Sequence, residues 1–330
     1  MVLTVAMGKG GTAKSTTAAA IANLAKMNGK KVLVLDIDPQ GNCTAALGGD
    51  NGGAGMYDLL TRKSKPAKLI QRTPQADLIP AGEELANAIA AIQNKPGRDN
   101  ILKAALAPVV GLYDLIIIDT PPDINTLLIN ALAASDTVLL PMQATLFCFM
   151  GLQQMGETIA QVKEYCNPNL GITGIVLTKH NQRSALARDI VPEIQQQAQA
   201  MGTKVFNTHI RQAAAVEQAQ IMRQSIFEYA PRSTAAADYM ALYAEMNLKG
   251  YLFMANKKFT AIQSTAPAKA ADTGAEVYRF NLKLPIECKD FLQEMAWRNR
   301  TTITEYLAQL VRADMDAHPE WMDGIDQLNK

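Results

Sequence analysis

Cysteine is scarce here and widely scattered. Cys43, Cys148, Cys166 and Cys288 are the whole complement of a 330-residue chain, and no two form a C-x-x-C pair. Such spacing argues against a zinc ribbon, an iron–sulfur cluster and a disulfide framework. Excess charge is also missing, because 32 Lys and Arg meet 31 Asp and Glu for a net charge of +1. No global field draws the chain to nucleic acid or to a membrane surface, so any DNA contact must come from local patches. No apolar run approaches the roughly 18 residues of a membrane helix. No leader precedes the first apolar run, so the expectation is a soluble cytoplasmic protein with no membrane partner. What is present is a 48% hydrophobic composition over a length that suits one large α/β domain and a small second one.

The most informative stretch is Gly8-Lys9-Gly10-Gly11-Thr12-Ala13-Lys14-Ser15. An apolar run at 2–7 precedes it, and helical spacing follows over 16–26. A glycine-rich loop between a strand and a helix aims backbone N–H groups and a helix N-terminus at phosphates. Lys14 stands where the loop lysine reaches the β- and γ-phosphates, and Ser15 where a hydroxyl meets Mg²⁺. Lys9 is too early in the loop to serve its own phosphates in the same way. A second apolar run, 32–35, ends in Asp36-Ile37-Asp38-Pro39-Gln40-Gly41-Asn42. A third, 115–118, ends in Asp119-Thr120-Pro121-Pro122.

These three strand ends, in this order, resemble the ParA/MinD family of partitioning and positioning ATPases, of the Soj-like type with a deviant Walker A loop. The resemblance covers about residues 1–250. It implies ATP and Mg²⁺ as cofactors, with Gly8, Lys9, Gly10, Gly11, Thr12, Ala13, Lys14, Ser15 and Thr16 around the nucleotide. It also implies a homodimer in which Lys9 crosses to the partner's nucleotide while Lys14 acts within its own site. Ser15 would ligate Mg²⁺, and Asp119 would hold it through water. Asp38 is the choice to orient the attacking water, so Lys9, Lys14 and Asp38 form the catalytic set. Asp36 either supports the loop and metal shell or caps the next helix. One departure stands out, because Ala13 occupies the place of the usual glycine and its methyl narrows the backbone's freedom.

Strand-like runs at 3–7, 32–36, 77–80, 115–119, 137–141, 174–177 and 205–206 alternate with helical patterns such as 152–165 and 186–201. Such alternation predicts a mostly parallel α/β sheet of the P-loop NTPase type with helices on both faces. Ligands in such folds sit at the carboxyl ends of the strands, where the three motifs fall. Thr178 and His209 match stretches that surround the base in relatives. Residues 179–232 carry seven Lys and Arg against four acids. Among them Arg188 and Arg211 best fit the family's nonspecific DNA-binding arginines, or else belong to an ordinary solvated face. A further arginine expected soon after Arg211 is replaced by alanine, near Ala214.

Composition changes near 254. Residues 1–253 read as the ATPase domain, 254–275 as a flexible linker rich in Ala, Lys, Thr and Pro, and 276–330 as a separate domain. Met254-Ala255-Asn256-Lys257-Lys258 looks like the start of a second protein, as if two reading frames had been joined. Residues 278–285 alternate apolar and polar before Pro285, a strand of period 2. A helical stretch over 288–299 and a capping box at Thr302-Ile303-Thr304-Glu305 follow. This βαα order resembles the ribbon–helix–helix DNA-binding family, of the Arc and CopG type, which pairs strands from two chains in the major groove. By that resemblance Arg279, Asn281 and Lys283 would face bases and Thr302 a phosphate. The alternative is a dimerisation module with a solvated strand face, since 254–330 holds ten Lys and Arg and eleven Asp and Glu.

The combined expectation is an Mg²⁺-dependent ATPase that partitions plasmid or chromosomal DNA. Its ATP dimer would coat nonspecific DNA on the nucleoid, and the tail would bind a specific repeat near its own gene. A further partition protein is compatible with this reading. The competing expectation is a positioning ATPase for a protein cargo, with the tail acting only as an oligomerising adaptor.

Overall fold

The computed structural model describes residues 1–180 and 185–246. The proposed domain boundary at 253, the linker, and Arg279, Asn281, Lys283 and Thr302 lie outside the described residues.

In chain order the elements are β1 Val2–Val5, α1 Lys14–Met27, β2 Val32–Asp36, α2 Asn42–Ala46, α3 Met56–Leu60 and α4 Pro66–Leu69. Next come β3 Gln71–Arg72, β4 Asp77–Ile79, α5 Ala88–Ile92, α6 Ile101–Leu106, β5 Leu115–Asp119 and α7 Thr126–Ala134. Then follow β6 Thr137–Met142, α8 Leu146–Tyr165, β7 Gly171–His180, α9 Ala185–Ala200, β8 Ile210–Arg211, α10 Ala214–Ile221, α11 Ile226–Tyr229 and α12 Thr234–Met246. The strands form one sheet in the order β3-β4-β2-β5-β1-β6-β7-β8. Every pairing is parallel except that of β3 with β4.

Buried hydrophobic residues form three clusters, and alternation along β2 and β5 feeds two of them. Val34 and Ile117 join α1 and α12 residues such as Ile21, Leu24, Tyr239 and Leu242 on one face. Leu33, Leu35, Ile116 and Ile118 point the other way, toward Leu102 and Leu127. A parallel sheet covered on both faces demands such near-continuous apolar strands, because successive side chains face opposite layers. Among the described residues no helix is long and apolar enough to cross a membrane.

Several expected bounds move. The first strand is Val2–Val5 rather than 3–7. Residues 205–206 make only a single bridge, Val205 to Ile175, and the outer strand is Ile210–Arg211 instead. The short antiparallel edge strand Gln71–Arg72 was not foreseen, since two residues carry no period. Helix α8 begins at Leu146 rather than 152. Its first turns expose Leu146, Phe147 and Met150, which breaks the amphipathic pattern that marks a helix buried on one side.

Candidate nucleotide site

The glycine-rich loop leaves the end of β1 and enters α1 at the carboxyl edge of the sheet. Two of its residues take left-handed backbone, Gly11 at φ +77° and Ala13 at φ +63°. For alanine this conformation costs roughly 1–2 kcal/mol relative to the right-handed one. The loop therefore keeps its shape at the departure from glycine, at the price of local strain. No side chain caps α1, and its first turn holds no acid. None of the N–H groups from Gly10 to Thr16 has an acceptor among the described residues. A row of unpaired donors at a helix N-terminus is a cradle for an anion.

Lys14 lies beneath this row, 7% exposed, and its Nζ donates to the Lys9 carbonyl at 3.1 Å. Burial holds its pKa below the usual lysine value, while Asp119, Asp38 and Asp123 act in the opposite direction.

Three carboxylates gather at and just beyond the ends of β2 and β5, and two of them, Asp119 and Asp38, act on the lysine. Asp36 and Asp119 are direct partners in the parallel pairing of β2 and β5. Asp36 accepts from the Thr44 N–H and hydroxyl, each at 2.7 Å, and from the Asp38 N–H at 3.2 Å. Thr44 lies in the first turn of α2, so Asp36 satisfies one backbone donor of that helix. Its pKa is pushed up to about 6, chiefly by burial, against the pull of the Thr44 donors. Asp119 has no such compensation, because both oxygens are buried without a hydrogen bond of standard geometry. Burial first, and Asp36 second, raise its pKa well above the carboxylate range; the Ser15 hydroxyl and Lys14 pull the other way. Asp38 is buried, and its Oδ1 accepts from the Gln40 N–H at 3.0 Å.

An orphaned buried carboxylate beside a loop hydroxyl fits a hard divalent cation. Among the described residues no group of three or more His, Cys, Asp or Glu forms a metal cage. That suits magnesium, which takes one or two protein ligands and completes its shell with water and phosphate oxygens. Burial favours the neutral form of Asp119, whereas a bound cation favours its carboxylate. Affinity for a magnesium nucleotide is therefore expected to fall as pH is lowered through that raised pKa. Calorimetry in two buffers of different ionisation enthalpy should show proton release that Asp119→Asn abolishes. Identical proton release in both proteins would mean that Asp119 is already ionised.

A cavity of about 560 Å³ opens over the loop. Of the residues expected at the nucleotide, Gly10, Gly11, Thr12, Ala13, Lys14, Ser15, Thr16, Asp38 and Thr178 line it. Gly8 and Lys9 do not. Lys9 is exposed, with its ammonium 5.7 Å from the centroid of the Phe147 ring. His209 does not line it either; its ring packs edge-on against His180, with centroids 4.5 Å apart. Asp119 is fully buried and does not line the cavity. The far wall comes from Gln212, Ala213, Val216, Glu217 and Gln220, none of them anticipated. Ligands sit at carboxyl strand ends, so locating β8 at Ile210–Arg211 would have pointed to the residues after it.

Of the two arginines set aside for DNA, Arg188 is exposed on α9. Arg211 closes a forked ion pair with Asp238, Nε to Oδ2 at 2.9 Å and Nη2 to Oδ1 at 2.6 Å. Asp238 thus fixes the direction of a guanidinium that also borders the cavity.

The pattern of a family described as an AAA domain matches residues 1–172. The sporulation initiation inhibitor protein Soj of Bacillus subtilis is 34% identical over 253 residues, covering 76% of this chain and 99% of Soj. The chromosome partitioning protein ParA of Caulobacter vibrioides is 31% identical over 251 residues, 74% of this chain and 93% of its own. Among solved structures, cobyrinic acid a,c-diamide synthase from Mycobacterium smegmatis with bound ADP and magnesium is 30% identical. It superposes with a TM-score of 0.65 over 74% of this chain and 92% of that one. The septum site-determining protein MinD from Pyrococcus horikoshii, complexed with Mg-ADP, shares the fold at 23% identity. Its TM-score is 0.62, over 75% of this chain and 96% of its own.

Proposed function

Because the chain belongs to the ParA/MinD family of P-loop ATPases, we propose that it is a DNA-partitioning ATPase working as a homodimer with ATP and Mg²⁺. The observation that carries the nucleotide reading is the unpaired row of loop N–H groups over buried Lys14 and orphaned Asp119. Catalysis of phosphoryl transfer is positioning plus charge stabilisation, which is what these groups offer. Bound Mg²⁺ would neutralise charge across the β- and γ-phosphates, held by Ser15 and, through water, by Asp119. Asp38 directs the attacking water, using the carboxylate oxygen that Gln40 leaves free.

Dimerisation is supported by a different set of residues. Lys9 is exposed and does not line its own cavity; its ammonium lies by Phe147, which is 70% exposed on a first turn of α8 that also exposes Leu146 and Met150. Exposed apolar residues at the start of α8, with a lysine beside one of them, suit burial against a second copy. The ATP-bound dimer coats nonspecific DNA through basic residues such as Arg188 and Arg211. Residues 276–330 bind a specific repeat near the protein's own gene through Arg279, Asn281 and Lys283. In a cell the protein would then sit in the cytoplasm on the nucleoid, with room for a further partition protein.

Chromatin immunoprecipitation with sequencing tests this, using wild type and a variant with Arg279, Asn281 and Lys283 all replaced by alanine. A sharp peak that disappears in the variant is the expected result. Diffuse signal, unchanged in the variant, would remove the sequence-reading role and leave a positioning ATPase for a protein cargo.

A further inference from the structure

The unpaired N–H groups of the loop point into the cavity only if its peptide planes are held in one orientation. In a trans peptide the carbonyl of one residue and the N–H of the next point in opposite directions. Anchoring a carbonyl on one side therefore aims the following N–H to the other. Two loop carbonyls are anchored in this way, each by a side chain from a strand end. Gln143, directly after β6, donates its Nε2 to the Gly11 carbonyl at 2.8 Å. Thr178, near the end of β7, donates its hydroxyl to the Thr12 carbonyl at 3.0 Å, with the Met142 carbonyl at 3.2 Å.

The two anchored peptides are Gly11–Thr12 and Thr12–Ala13, between the two left-handed residues of the loop. Thr178 is completely buried, so its hydroxyl has no water to turn to. It has one proton facing two carbonyls, and the shorter contact is to the loop. The strain at Ala13 makes this anchor matter, since a left-handed alanine persists only where its surroundings hold it.

We infer that Thr178 is a positioning residue for phosphate binding. With Gln143, it fixes the peptide planes that turn the Thr12 and Ala13 N–H groups toward the anion. This rests on the reading of the cavity as an ATP site, and it gives Thr178, already expected at the nucleotide, a role exerted through the loop backbone. The interaction is made equally in ground state and transition state. Losing it should therefore raise KM and leave kcat nearly unchanged.

The test compares full-length wild type, Thr178→Val, Thr178→Ser and Gln143→Ala. ATP affinity is measured by calorimetry well below each protein's unfolding temperature, turnover by steady-state kinetics, and stability by melting without nucleotide. Thr178→Val keeps the shape and removes the proton, and is expected to bind ATP about tenfold more weakly, equivalent to about 1.4 kcal/mol. Its KM should rise in step while kcat changes by less than about threefold. Serine, which keeps the hydroxyl, should recover most of the affinity. A merely structural hydroxyl would lower the melting temperature and leave the affinity of the folded protein unaltered, and that result would overturn the inference. If the valine protein does not fold, Gln143→Ala, on a partly exposed side chain, decides in its place: unchanged ATP affinity there would equally overturn it. Wild type failing to bind ATP would instead sink the nucleotide reading itself.

Discussion

A mixed dimer of one Lys9→Ala subunit and one Asp38→Ala subunit is expected to hydrolyse ATP, although neither variant does so alone. Asp38 borders its own cavity and keeps one carboxylate oxygen free, so its alanine variant loses the group that orients water. Lys9 stands outside that cavity and leans on Phe147, so its charge is available to a facing copy. Each homodimeric variant should fall at least about 100-fold in turnover, the scale of removing a positioned catalytic group. In the mixed dimer one site combines the intact Asp38 of one subunit with the intact Lys9 of the other. The second site lacks both. Co-expression with two different tags and purification through both should therefore give about half of wild-type turnover, one site of two in a symmetric dimer. A mixed dimer as inactive as its parents would show that Lys9 serves its own subunit.

Lys14→Ala should abolish nucleotide binding rather than slow a later step. The ammonium is almost fully enclosed, sits under the unpaired loop donors, and faces Asp119, Asp38 and Asp123. Removing it takes away the buried cation that both phosphates and carboxylates share. Hydrogen bonds from a charged group to phosphate are roughly twice as strong as neutral ones. A loss of at least about 100-fold in ATP affinity follows, about 2.7 kcal/mol or more. Turnover should be undetectable. Asp119, without its nearest cation, should hold its proton to still higher pH. Equilibrium binding of a fluorescent ATP analogue measures the effect, and an affinity within tenfold of wild type would remove Lys14 from the centre of the site.

Chemistry that is local along the chain is legible in the residues alone. The loop, the helix behind it and the acids at two strand ends are each written in a few consecutive residues. The apolar runs of β2 and β5 appear without polar alternation because both of their faces are buried. Spacing between such units sets their order, and with it a parallel α/β sheet.

Which of these groups meet, and in what state, depends on the folding of distant segments onto one another. Asp36 and Asp119 lie far apart in sequence, yet parallel pairing places them side by side, where shared burial raises both pKa values. Thr44 then satisfies Asp36, and Asp119 is left unpaired, a distinction no motif records. The wall beyond Thr178 escaped because β8 is two residues long, too short for any periodicity to show. The start of α8 escaped because Leu146, Phe147 and Met150 are exposed, against the rule that apolar residues mark a buried face. The anchors on Gly11 and Thr12 come from side chains more than a hundred residues away. Sequence patterns report burial and local backbone preference. The orientation of a peptide plane or the charge of a carboxyl depends on neighbours that only the folded chain brings together.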